Sequence, residues 1–275
     1  MKKIFTILAL TIGFSMNAQV STNNTSPTGV YASAMGNGTT ASGNESTAMG
    51  YDTTASAEAS TAMGYSTTAS ALSSTAMGMG TTASGHYSTA MGRSTTASDY
   101  NSLVIGQYNS SGSSVTNSAS SFSTSNTAFV IGNGADSSNK SDAFKVMFNG
   151  DTTVSNDLTV SGDVVVSSDA RLKSNIVSLG STLSRLLLID GKSYEMKGKQ
   201  KIGVLAQQIK EVFPELVTED SNEMLAVNYQ GLVPVLINAL KEQQSEIDVL
   251  KEQESKYLEQ EKRLERLEKL VAQLD

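Results

Sequence analysis

The chain contains no cysteine and a single histidine, His86, among 275 residues. Without cysteine there are no disulfides and no lipid-bearing thiol, so stability has to come from packing and assembly. One histidine and no thiolate give a zinc or haem site little support, and His86 reads as a surface residue of a variable repeat position. Neither a glycine-rich phosphate loop nor an EF-hand motif occurs, and the expected cofactor content is none. Basic residues are scarce where most of the sequence lies: residues 20–160 hold only Arg93, Lys140 and Lys145 against eight acidic side chains. With a net charge of −7 and no basic cluster, nucleic acid is excluded as a partner, because phosphate binding needs grouped Lys and Arg. Long apolar runs are missing too. The longest, Ile4 to Phe14, is too short to span a bilayer comfortably.

That short run has another reading. MKKIFTILALTIGFSMNAQ sets Lys2 and Lys3 before the apolar stretch and small or polar residues after it, the layout of a secretory signal peptide with cleavage after Ala18. The expected location is secreted or on the cell surface, with no membrane span in the mature chain. Charge then divides what remains: residues 161–275 hold fifteen basic and nineteen acidic side chains, so two architectures meet near the stretch SSDARLKSNI at 167–176.

What is abundant in the first of them is repetition. ASAMG at 32–36 recurs as STAMG at 46–50, 60–64, 74–78 and 88–92, then as SLVIG at 102–106, with TTAS in the same frame at 39–42, 53–56, 67–70, 81–84 and 95–98. A fourteen-residue unit of two short threonine-rich stretches, punctuated by glycines such as Gly50, Gly64 and Gly78, predicts the coils of a β-solenoid. Stacked coils place equivalent residues about 4.8 Å apart. Met35, Met49, Met63, Met77 and Met91 are then expected to form one apolar ladder as a core stripe. So thin a core predicts oligomerisation. The same stacking would align Thr53/Thr54, Thr67/Thr68, Thr81/Thr82 and Thr95/Thr96 as a hydroxyl array, which raises an ice- or glycan-binding solenoid as the alternative function.

The SxAxG…TTAS units resemble the head repeats of trimeric autotransporter adhesins over about residues 31–135. The resemblance implies left-handed parallel β-rolls packed as trimers, with Met departing from the usual Ile or Val. Those adhesins end in a β-barrel anchor that this chain lacks, so attachment by that route is not expected.

Residues 143–166 alternate apolar and polar side chains around Asn149-Gly150 and Gly162-Asp163, which predicts short strands of a β-neck. Beyond residue 175 the apolar spacing turns helical. Val204 to Phe213 reads as a helix closed by Pro214, and Leu240, Ile247, Leu250, Tyr257, Leu264, Leu267, Val271 and Leu274 read as the seam of a coiled coil. Glu254 and Glu261 weaken that seam, and its register shifts near Leu264.

Three blocks in order, SSDARLKSNI (167–176), IGVLAQQIKEVFPELV and VNYQGLVPVLINALKEQ, resemble the C-terminal intramolecular chaperone, or peptidase S74, domain of phage tailspikes and endosialidases. The resemblance implies a domain that trimerises, guides folding of the fibre before it and in many members cuts itself off. It also implies that Ser168 is the nucleophile and Lys173 its base, with Asp169 and Arg171 matching the same motif. Geometry alone is less generous: five residues apart on an ideal helix the two side chains point about 140° apart, so the backbone must turn between them or another subunit must supply the partner.

The resulting expectation is a homotrimer. Residues 1–18 form a signal peptide, 19–30 a linker, 31–135 the mainly β solenoid head, 136–166 the β-neck, 167–250 an α+β chaperone domain and 251–275 the coiled coil. Its function is that of an exported structural or adhesive fibre, at most a single-turnover self-cleaving serine endopeptidase that releases a fragment of 107 or 108 residues. A surface glycan or host receptor remains open as partner of the head. A phage-type tail fibre that keeps an uncleaved chaperone cap is the second alternative.

Overall fold

The computed structural model describes residues 22–220 and 223–271, so the expected signal peptide and Leu274 lie outside the described residues. The chain forms two units, divided between Val164 and Val165.

The first unit is a β-solenoid. Its strands are β1 (Ser26–Pro27), β2 (Ser33–Asn37), β3 (Thr40–Ala41), β4 (Thr47–Tyr51), β5 (Thr54–Ala55), β6 (Thr61–Tyr65) and β7 (Thr68–Ala69), continuing through β8 (Thr75–Met79), β9 (Thr82–Ala83), β10 (Thr89–Arg93), β11 (Thr96–Ala97), β12 (Leu103–Gln107) and β13 (Thr127–Asn133). Long and short strands alternate, and each pairs in parallel with its counterpart fourteen residues on: Met35 with Met49, Met49 with Met63, Ala55 with Ala69. The short strands thus form a sheet of six. The long ones form a sheet of nine, completed by β14 (Asp142–Met147) and β15 (Thr152–Val154).

Two details correct the sequence reading. Gly50, Gly64 and Gly78 do not sit in turns; they lie inside the long strands at φ near +120°, where a Cβ would stand about 2 Å from the next coil's glycine carbonyl. The turns instead use left-handed residues of other types, Asp52, Ala59, Ser66 and Ser73 among them. The methionines, second, are not the core. Strand alternation turns Ser46, Ala48, Thr53 and Ala55 inward, all at 0% exposure, and puts Met49 on the outer face with its ladder partners, Met77 being 37% exposed. A file of alanines from Ala41 to Ala97 is the core, capped by Val104 and Val130.

The same alternation dismantles the paired hydroxyl array. Thr53, Thr67, Thr81 and Thr95 are fully buried, and their Oγ1 atoms have no hydrogen-bond partner, leaving only the second threonine of each pair half-exposed. Buried serines fare better: Ser46 donates to Gly43 O at 2.6 Å and Ser60 to Ala57 O at 2.7 Å.

Regular stacking stops after β12, whose partner lies twenty-six residues on, Leu103 beside Phe129. The intervening segment has no strand, and side chains do the work of the missing coil. Fully buried Asp99 accepts from Thr116 N at 2.6 Å and Thr127 N at 2.7 Å. Asn109, on the open edge of β11, accepts from Thr96 N and donates to Thr96 O, as a neighbouring strand would. Exposed backbone edges invite pairing with other chains, and this plug removes one.

Past β13 the chain reverses into the antiparallel β14 and β15, joined through Asn149-Gly150 as the sequence suggests. Residues 155–166 carry no strand within the chain, and Leu158, Val164 and Val165 are exposed at 70%, 64% and 88%.

The second unit contains α1 (Leu183–Leu186), the hairpin β16 (Lys192–Met196) and β17 (Lys199–Gly203), α2 (Ala206–Val212), the hairpin β18 (Val217–Glu219) and β19 (Leu225–Val227), and α3 (Leu232–Val271). Pro214 follows α2 and opens a 3-10 turn, ending the helix as expected because proline cannot continue the ladder. Ile209, Phe213 and Val235 form the buried centre, packed by Leu186, Ile189, Val204, Leu216 and Leu232. Burying such side chains contributes about 1.5–3 kcal/mol each. Arg185 lies over the Phe213 ring at 4.0 Å and donates to Val212 O, bridging α1 to α2. Most of α3 is exposed: of its forty residues only Val235 and Ala239 are buried, and the predicted seam residues Leu240, Leu250, Tyr257 and Leu264 are at least 58% exposed.

Two substitutions in one coil test this packing. Thr67→Val replaces an unpartnered buried hydroxyl by a methyl of the same shape and should stabilise the head by about 1 kcal/mol. Gly64→Ala drives a Cβ to 2.1 Å from Gly78 O and should cost about 3 kcal/mol or more. Thermal melts of the two variants shifting in the same direction would contradict the coil geometry.

Candidate active site

Ser168 and Lys173 lie at the start of the second unit, where the backbone makes the turn that a helix would not allow. Asp169, at φ −61° and ψ 133°, is the N-cap of a single 3-10 turn, Ala170–Leu172. Its carboxylate accepts from Arg171 N at 2.8 Å, while Leu172 N donates to Asp169 O and Lys173 N to Ala170 O, both at 3.1 Å. Lys173 leaves this turn extended, and its Nζ comes back to Ser168 Oγ at 2.8 Å. The predicted pair is therefore in hydrogen-bonding contact within one chain.

The surroundings are open. Ser168, Asp169, Arg171 and Lys173 are all exposed in the single chain. The Arg171 side chain also grips Asp169, Nε at 3.0 and 3.1 Å and Nη2 at 2.6 Å from its oxygens. That guanidinium first, and the Arg171 N–H second, hold the Asp169 carboxyl below its ordinary range, and Asp169 in turn raises Arg171. Lysine donates to serine here; for the reverse transfer the amine must first lose its proton, which requires burial or a nearby positive charge. The remaining geometry suits nucleophilic chemistry: a hydroxyl, an amine within reach of its proton, and no intervening side chain.

Residues 168–218 match the peptidase S74 family, the chaperone of endosialidase. The matched segment begins at Ser168 itself and runs through α1, both strands of the first hairpin and α2 to β18. A second family model, the YadA head domain repeat, matches 28–53, 55–81 and 83–109, in the solenoid. No curated protein matches the chain. Adhesin-type head repeats and an S74 chaperone segment in one chain are the makings of a trimeric adhesin or tail-fibre-like protein with a chaperone domain, which implies self-association and a surface or extracellular setting. No helix among the described residues is long and apolar enough to cross a membrane.

One functional contact escaped the sequence reading. Glu242, on α3, accepts from Ser181 Oγ at 2.7 Å, Thr182 N at 2.6 Å and Leu183 N at 3.2 Å, so a carboxylate sixty residues away caps α1. Thr182, fully buried, also donates to Val235 O at 3.1 Å. This clamp ties the S74 segment to the long helix that follows it. Nothing local in the sequence marks such a pair.

The clamp has a pH signature. The Ser181 hydroxyl above all, then the Thr182 N–H, hold the Glu242 carboxyl below its ordinary value. A depressed carboxylate contributes stability that is complete above the unfolded-state value of about 4.3 and is lost as pH falls through the lower folded-state value. Thermal melts between pH 6 and pH 3 should therefore show the wild type ahead of Glu242→Gln by a constant margin above about pH 4.3, with that margin closing as pH falls further. Parallel curves would mean that the clamp does not hold in solution.

Proposed function

We propose that this protein is an exported homotrimeric fibre of adhesive or structural type, and that its chaperone domain, once assembled, cuts itself from the head at Ser168. The observation that carries the cleavage reading is the 2.8 Å contact between Lys173 Nζ and Ser168 Oγ. Export rests on the layout of residues 1–18.

Ring size selects the bond. From Ser168, Oγ reaches the carbonyl carbon of Ser167 through a five-membered transition structure, whereas attack on its own carbonyl would close a four-membered ring. Neutral Lys173 takes the hydroxyl proton as Oγ adds to the Ser167 carbonyl. The C–N bond then breaks, Lys173 returns the proton to the Ser168 nitrogen, and the Ser167 acyl group is left as an ester on Oγ. Water, deprotonated by the same amine, hydrolyses the ester. The products are a head ending in the Ser167 carboxylate and a chaperone fragment starting at Ser168 with a free amine, 108 residues long.

Timing follows from exposure. Val164, Val165, Val166, Leu172, Ile176 and Val177 flank the dyad and are each at least 60% exposed in one copy. Covering them with two further copies would remove water from Lys173, and desolvation favours the neutral amine that can act as base. The outward Met ladder and the uncovered α3 face offer the apolar surface for that assembly. Pairing parallel strands from three chains is slow, because loop-closure entropy precedes the contacts that offset it. A trimerising C-terminal domain shortens that search.

Two experiments test the reading. After trimerisation, intact-mass measurement of wild type should give the 168–275 fragment, and Ser167→Ala should behave alike. Ser168→Ala, Lys173→Ala and Lys173→Arg should stay whole and still trimerise, arginine failing because its guanidinium keeps its proton. A wild-type trimer that remains whole, or a Ser168→Ala chain that splits, rejects self-cleavage. For the chaperone role, residues 19–166 expressed alone should mostly aggregate while 19–275 yields soluble trimer; equal solubility of the two would count against it.

A further inference from the structure

We infer that Asp169 is a positioning residue for the Ser168–Lys173 pair, acting through the turn it caps; the inference rests on the self-cleavage reading above. Lys173 can reach Ser168 only because three residues between them fold into one 3-10 turn. Ala170, Arg171 and Leu172 are all exposed, so no burial holds that turn in place. What holds it is a hydrogen-bond set centred on Asp169. The Asp169 carboxylate accepts from Arg171 N, its carbonyl accepts from Leu172 N, and the Arg171 guanidinium grips both carboxylate oxygens. The backbone then delivers Lys173 in an extended conformation at ψ 147°, and its amine to 2.8 Å from Oγ.

A one-turn 3-10 helix has no cooperativity of its own, and unsupported it frays. Without the cap, Lys173 would sample directions away from Ser168. The catalytic pair would then be present in sequence yet seldom in contact. Asp169 touches neither the attacking oxygen nor the amine, and its part is to hold them together. Arg171 has the lesser role of holding the carboxylate in the capping orientation, since the Arg171 N–H that completes the cap survives loss of its side chain.

The test is the rate at which assembled full-length chain converts to the 168–275 fragment, followed by intact mass, with trimer content measured on the same samples. Asp169→Ala should trimerise like wild type and cleave about 100-fold more slowly, the penalty typical of a misplaced reacting group. Asp169→Asn keeps a capping oxygen and should restore the rate to within about threefold, because Asn and Asp cap about equally well. Arg171→Ala should fall between them. Wild-type cleavage in assembled Asp169→Ala overturns the inference, as does an assembled Asp169→Asn chain no faster than Asp169→Ala. If Asp169→Ala fails to assemble, Asp169→Asn decides alone: retained cleavage supports the cap, and loss in an intact trimer overturns it. Should wild-type trimer remain whole, it is the self-cleavage reading that fails, and hydrogen exchange at the Arg171 amide then judges the cap by itself. Exchange about tenfold faster in Asp169→Ala supports it, and unchanged exchange overturns it.

Discussion

The interior of the regular coils holds only alanine, serine and threonine side chains. Two strands close over Ser46, Ala48, Thr53 and Ala55, and each successive backbone approaches so closely that Gly50 and Gly64 cannot carry a side chain. A coil built this way has almost no apolar volume of its own, so large side chains can go only outward. The Met ladder is the result, and it leaves an apolar stripe on the outside of the solenoid. The plug built on Asp99 and Asn109 closes one edge that the coils leave open.

The two units divide labour along the same lines. In the head, order comes from backbone pairing repeated at a fixed interval, and side chains mainly have to stay small. In the chaperone unit, order comes from a compact cluster around Phe213 and from long-range polar contacts, of which the Glu242 clamp is the clearest. Between them in the sequence, residues 155–182 carry no strand and no long helix, and Ser168 and Lys173 fall within that stretch.

The repeat and its register were fully legible in the sequence, because a period of fourteen survives any uncertainty about direction. Direction was the harder matter. Ala and Met alternate in STAMG, and hydrophobicity alone points the larger one inward; only the closeness of neighbouring coils, set by glycine carbonyls, reverses that choice. The threonine pairs were misjudged for the same reason, since period-two alternation forbids both members from facing water. Pro214 and the helix before it were plain, as was the long C-terminal helix. The Ser168–Lys173 contact was indicated by family resemblance while spacing argued against it. What spacing could not contain is the cap by Asp169, which converts an unfavourable separation of five residues into contact. Glu242 had no signal, because its partners are brought near only by the packing of α1 on α3.

The plug also makes length a free variable. Because the regular coils before β12 meet their neighbours in the same way, a fourteen-residue unit can be duplicated or lost without disturbing the segment that closes the solenoid. Each added unit extends the reach of the head by about 4.8 Å. A lineage could therefore adjust the length of the head by unequal recombination alone, with the second unit untouched.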